Sequence, residues 1–140
     1  MLSLTTEHIS AIEKHGERDY PHECCGLLIG RFHENGDKEV VEILSIDNAS
    51  AEETRHNRSL ILPRDLLRGE RYAREKKLDV IGNYHSHPDD VPVPSQFDLD
   101  HALPVWSYII VSVQEGKAAD MRSWELEADR SKFNEEEIRK

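Results

Sequence analysis

Residues 78–88, LDVIGNYHSHP, close an apolar run with two histidines one residue apart, and no other stretch limits the fold and chemistry of this chain as much. On a strand, side chains two residues apart face the same side, so His85 and His87 project together while Tyr84 and Ser86 face the other way. Two imidazoles are thereby aimed at one point. Zinc accepts imidazole nitrogen at about 2.0–2.1 Å and carboxylate oxygen at about 2.0–2.2 Å, and a catalytic site keeps one position open for water. The third ligand expected is Asp98. The loop PDDVPVP turns the chain, and a helix beginning near Ser95 presents Asp98 in its first turn, back toward the strand end. Ser95-x-x-Asp98 is also a helix-capping pattern, with serine accepting from the third helical amide and an acid suited to the first turn. A lone His-x-His pair is likewise compatible with hydrogen-bonded histidines. The joint spacing favours a metal. From this chain's own residue frequencies, His-x-His, seven residues, Ser-x-x-Asp arises by chance on the order of a few times in a thousand such sequences.

The rest of the chain alternates helical and strand patterns. Ile9 and Ile12 mark a short amphipathic helix whose pattern decays at Gly16. CCGLLIGRF and EVVEILSID predict a hairpin across the turn HENGDK. Pro63 opens a helix over 63–77, with Leu66, Leu67, Tyr72 and Ala73 among charges and a weak spot at Gly69. LDVIGNYHSH follows as a strand, SQFDLDHAL as a short helix, and VWSYIIVSV and ADMRSWELEA as paired strands joined through QEGK. The expected fold class is α/β of the mixed α+β kind, a single central mixed β-sheet flanked by helices. At 140 residues the chain suits one domain, read as residues 1–128, followed by a charged tail or terminal helix over 129–140.

A formal charge of −10 argues against a sequence-independent grip on nucleic acid, which needs clustered Lys and Arg. No apolar stretch approaches the roughly 20 residues of a membrane span, and the N-terminal residues lack the apolar core of a secretion signal. Cys24 and Cys25 are adjacent and read as reduced thiols, one in the core and one near the sheet surface. These features lead us to expect a cytoplasmic protein.

HSHPDDVPVPSQFD resembles the signature of the JAMM, or MPN-plus, metallopeptidases: His-Ser/Thr-His-Pro, six residues, Ser, two residues, Asp. That family places a glutamate upstream in a context like Glu-x-Cys-Gly-Leu-Leu-x-Gly, and ECCGLLIG, residues 23–30, fits it without a gap. The resemblance extends from about Leu4 to Glu127 and points to the small prokaryotic members. It implies one zinc per chain held by His85, His87 and Asp98, with Glu23 as general base and acid and Ser95 stabilising the oxyanion. The chemistry agrees: zinc-bound water still benefits from a positioned base during attack, and a hydroxyl can donate to the developing negative oxygen.

Neighbouring residues mimic other sites. HECCG at His22 starts like the His-Glu-x-x-His of helical zinc peptidases, but Gly26 stands where the second histidine belongs. The Pro-Cys-x-x-Cys of zinc deaminases is missing. Asp89, Asp90, Asp100 and His101 do not match the ligand spacing. By resemblance, the activity is hydrolysis of the amide bond after the C-terminal Gly-Gly of a ubiquitin-like sulfur carrier of the ThiS/MoaD type. The prolines of residues 89–94 would wall a groove for that narrow tail. A non-catalytic MPN-type scaffold with a structural metal is the alternative, and the complete ligand set with Glu23 counts against it.

Overall fold

In the computed structural model, which describes residues 1–50 and 54–140, eleven elements follow one another. They are β1 (Leu2–Ser3), α1 (Thr6–Asp19), β2 (Cys25–Phe32), β3 (Lys38–Ile46), α2 (Pro63–Glu75), β4 (Asp79–Pro88), α3 (Gln96–Asp100), β5 (Ser107–Gln114), β6 (Lys117–Leu126), β7 (Phe133–Glu136) and β8 (Ile138–Arg139). The strands form one mixed sheet in the order β7-β6-β5-β4-β2-β3-β1-β8. The expected hairpin is β2–β3, antiparallel, and β5–β6 is a second one. The central strand β4 is antiparallel to β2 and parallel to β5.

β2, β4 and β5 are buried on both faces, which explains their nearly continuous apolar runs. One face carries α1, whose Ile12 joins Leu28, Ile81, Tyr84 and Val111 in the larger core. The other carries α2, whose Ala73 and Leu66 pack on Cys25, Leu27 and Val80. In the β2–β4 ladder Leu28 faces Gly82 and Ile29 faces Val80, so Ile81 is an extra, bulged residue. This bulge lets Ile81 and Tyr84 share the α1 face although they are three apart.

Three expectations change. α1 does not stop at Gly16 but runs to Asp19, because Gly16 is a packing residue: a Cβ there would lie 3.0 Å from Val113 Cγ2. Helix propensity yields to the close seating of α1 on β5. Both cysteines are buried, Cys24 under α1 and Cys25 under α2, where one had been expected near the surface. Burial pushes both thiols up, Cys24 to about 12, so neither is a ready nucleophile.

The third change concerns 129–140, which is neither a helix nor a loose tail. β7 pairs with β6 at one edge of the sheet and β8 with β1 at the other, and only Glu137 separates them. Seven interstrand steps of about 4.8 Å would set the edges of a flat sheet roughly 34 Å apart, whereas one residue spans about 3.5 Å. The sheet therefore curls until its edges nearly meet. Glu136 sits at the closure, accepting from Ser107 Oγ at 2.6 Å and Ser123 Oγ at 2.9 Å while its other oxygen lies 3.4 Å from Lys38 Nζ.

Candidate metal centre

β4 delivers His85 and His87 to its C-terminal end as the period-two geometry requires, and both are buried. α3 delivers Asp98 through a capping box: Ser95 Oγ accepts from Asp98 N–H at 3.1 Å, and Asp98 Oδ2 accepts from Ser95 N–H at 2.8 Å. Capping and ligation are therefore not alternatives, since the cap aims the carboxylate. The Nε2 atoms of the two histidines are 3.1 Å apart, and Asp98 Oδ2 lies 3.2 Å from that of His85 and 3.4 Å from that of His87. Among the described residues, these three form the one cluster of at least three His, Cys, Asp or Glu side chains able to share an ion.

The donor set fits a cation. His87 Nδ1 lies 2.8 Å from Val91 O, a bond that places the proton on Nδ1 and leaves the Nε2 lone pair facing the centre. Burial pushes the His85 imidazole down, but the Asp98 carboxylate outweighs it and lifts it to about 9. Burial opposes ionisation of Asp98 too, yet His85, His87 and the Ser95 amide hold its carboxyl well below the usual carboxylate range. Without a metal, this cluster binds a proton where its acceptors converge, and a divalent cation competes for that place.

Glu23 precedes β2 and is 3% exposed. Its main chain is tied on both sides: its N–H donates to Arg55 O at 2.6 Å, and its carbonyl accepts from Asn48 Nδ2 at 3.0 Å. Its side-chain Oε1 has no hydrogen-bond partner among the described residues. Burial pushes the carboxyl up to about 7, and the charges of His85 and His87 offset only part of that cost. Glu23, His87 and Ser95 line one cleft of about 520 Å³ with Arg58 and Phe97. His85 itself lines a second, more apolar cavity between β4 and α2, together with Leu27, Leu60, Leu66, Trp106 and Ser59.

The decoys are engaged elsewhere. Asp89 accepts from Tyr20 Oη at 2.5 Å and from Glu115 N–H at 2.8 Å, Asp100 from Gln96, and His101 sits against Phe97 O. The proline loop is held by Trp124 Nε1, which donates to Pro92 O at 3.0 Å, and by Ser112 Oγ, which donates to Asp90 O at 2.5 Å.

Residues 5–127 match the family described as prokaryotic homologs of the JAB domain. The chain belongs to that family. Two curated relatives align with most of this chain. Tail tip assembly protein K of Escherichia phage N15 is 33% identical over 111 residues, 77% of this chain but only 40% of that protein. A desampylase of Pyrococcus furiosus is 27% identical over 116 residues, 83% of this chain and 74% of that protein. Among solved structures, a protein from Salinibacter ruber superposes with a TM-score of 0.78 at 36% identity, covering 100% of this chain and 91% of the other. A JAB1/MPN domain protein from Archaeoglobus fulgidus superposes with a TM-score of 0.56 at 18% identity, covering 99% and 92%, which shows the shared fold.

Sequence reading missed residues of this JAB domain that hold the site in place. Asn48 uses its whole amide, donating to Glu23 O and Arg58 O and accepting from Ser50 and Leu60 N–H. Ser86, between the two histidines, accepts from Cys24 N–H at 2.8 Å and so locks the residue after Glu23 to β4. Such side-chain to main-chain bonds carry no spacing pattern; only the polar identity of residue 86 on a buried strand hinted at one.

Proposed function

We propose that this chain is a zinc-dependent peptidase that hydrolyses the amide bond following the C-terminal Gly-Gly of a ubiquitin-like protein of the sulfur-carrier type. The observation that carries this reading is the convergence of His85, His87 and Asp98, with the buried carboxyl of Glu23 lining one cleft with His87. The kinship with a desampylase supports the choice of a ubiquitin-like substrate. Zinc, held by His85, His87 and Asp98, would supply Lewis-acid polarisation of the amide carbonyl and a water of lowered pKa. Glu23 takes the proton of the attacking water as the carbon–oxygen bond forms and passes it to the departing amine as the carbon–nitrogen bond breaks. Burial, which raises this carboxyl, favours its holding the proton between the two steps. Ser95 accepts a cap bond through its oxygen, which leaves its own O–H to donate to the oxyanion.

The test joins metal content to turnover. Purified protein should carry about one zinc per chain and release the residue beyond Gly-Gly from a ubiquitin-like substrate. Glu23→Gln should keep the zinc and lower turnover by about 10²–10⁴-fold, as for loss of a general base. Kinship with a phage tail assembly protein motivates a second reading, a binding module with a structural metal. Bound zinc with no cleavage by the wild type, and identical behaviour of Glu23→Gln, would favour that module.

A further inference from the structure

We infer that Arg58 binds the free α-carboxylate of the residue released by the cut, so that the preferred substrate ends in one amino acid beyond its glycine pair and is not a branched lysine conjugate. This rests on the peptidase reading above. Arg58 lines the cleft shared by Glu23, His87 and Ser95. Its guanidinium carbon lies 4.9 Å from the centre of the Phe97 ring, and Phe97 directly precedes the ligand Asp98. Below it, the Arg58 carbonyl accepts from Asn48 Nδ2 at 2.8 Å, so the main chain that carries the side chain is anchored.

Arg58 forms no ion pair among the described residues, in a chain of net charge −10. Two acids of the same cleft are already engaged, Asp89 by Tyr20 and the Glu115 N–H, and Asp90 Oδ1 by the Val91 N–H, and the third, Glu23, forms no ion pair with Arg58. A guanidinium on an aromatic face keeps the N–H groups of its edge available, and that edge matches a carboxylate bidentately.

The side of the cut follows from the proton. Glu23 protonates the departing amine, so the departing residue occupies the cleft that Glu23 lines, which is the cleft of Arg58. The more apolar cavity that His85 lines and Glu23 does not is left to the acyl side. In a single departing amino acid the carboxylate is separated from the new amine by one carbon. In a lysine conjugate the departing amine ends a four-carbon stem, and the lysine's own carboxyl is an uncharged peptide carbonyl.

The experiment uses a ubiquitin-like domain ending in Gly-Gly-Ala, made by ligation with either a free terminal carboxylate or a terminal amide. Affinity of zinc-loaded Glu23→Gln protein for each form is measured by calorimetry, with and without Arg58→Ala. The acid should bind about tenfold or more tightly than the amide, and Arg58→Ala should bring that ratio toward one. Arg58→Lys, which keeps the charge and loses the fork, should fall between. Equal affinity for acid and amide, no measurable binding of either, or a ratio unmoved by Arg58→Ala overturns the inference. Failure of the peptidase reading shows differently: the wild type cleaves neither form, while the acid-to-amide ratio stays measurable. A folding defect in Arg58→Ala would appear as a lowered thermal midpoint, and Arg58→Gln then serves as the charge-removing variant.

Discussion

Glu23 is a buried carboxyl with one oxygen unpartnered among the described residues, an arrangement that a structure tolerates only at a cost. That cost predicts how metal-free protein responds to pH. The folded-state carboxyl is raised from 4.5 to about 7, so its neutral form is the one that folding favours. The contribution is intact below about pH 4.5 and is lost as pH rises through 7, to a total on the order of 3 kcal/mol. Glu23→Gln cannot ionise and should escape this loss. In chelator-treated protein, urea unfolding should show the variant more stable than wild type at pH 8 and no more stable at pH 4.5. A stability difference that does not change between the two would mean that the carboxyl ionises without hindrance in the fold. The residue itself was legible in the sequence through the ECCGLLIG context, as were His85, His87 and Asp98 through their spacing. Strand alternation and a first-turn acid are local geometry, and local geometry is what a sequence displays directly. The exclusion of Glu23 from water was not legible, because it depends on the loop around Asn48, which is distant in sequence.

That loop links residues to elements. Asn48 ties the end of β3 to Glu23, Ser50, Arg58 and Leu60 through four hydrogen bonds, whereas the candidate ligands stand on β4 and α3, and none of them is among its partners. Replacing it should therefore separate metal binding from catalysis. Asn48→Ala should keep about one zinc per chain, lose roughly 2–3 kcal/mol of stability, and reduce kcat by at least about tenfold through misplacement of Glu23. Metal analysis beside steady-state kinetics decides this, and an unchanged kcat would show that the Arg55 and Ser86 contacts suffice to hold Glu23. Most elements were legible because their patterns were strong: α2 begins at Pro63, and β2, β4 and β5 carry mainly apolar stretches because sheet neighbours and helices cover them. The true end of α1 was hidden, since Gly16 reads as a helix terminator until Val113 is seen against it.

At the scale of the whole molecule, closure of the sheet depends on a stretch that the sequence disguised. FNEEEIRK is rich in charge and in helix formers, and nothing local marks Glu136 as the acid that turns inward. It does so because Lys38, 3% exposed at its side chain, waits on β3 on the other side of the closure, with Ser107 and Ser123 supplying hydroxyl donors. Lys38 Nζ also donates to Glu125 at 2.9 Å, and the Met1 ammonium lies 3.5 Å from Glu136 Oε2. A buried pair of this kind stabilises little against an apolar substitute, yet removing one member strands the other without solvent. Glu136→Leu or Lys38→Met alone should each cost about 3–5 kcal/mol, and the double variant should recover at least half of the summed loss. Equilibrium unfolding of the four proteins measures the coupling. Additive losses would mean that the two edges are held independently, by the β1–β8 and β6–β7 ladders, and that the buried charges do not hold them together. Because β4 lies three strands from β7 and four from β8, and its candidate ligands depend on α3 and the Val91 carbonyl, zinc content should survive each single substitution wherever the protein remains folded.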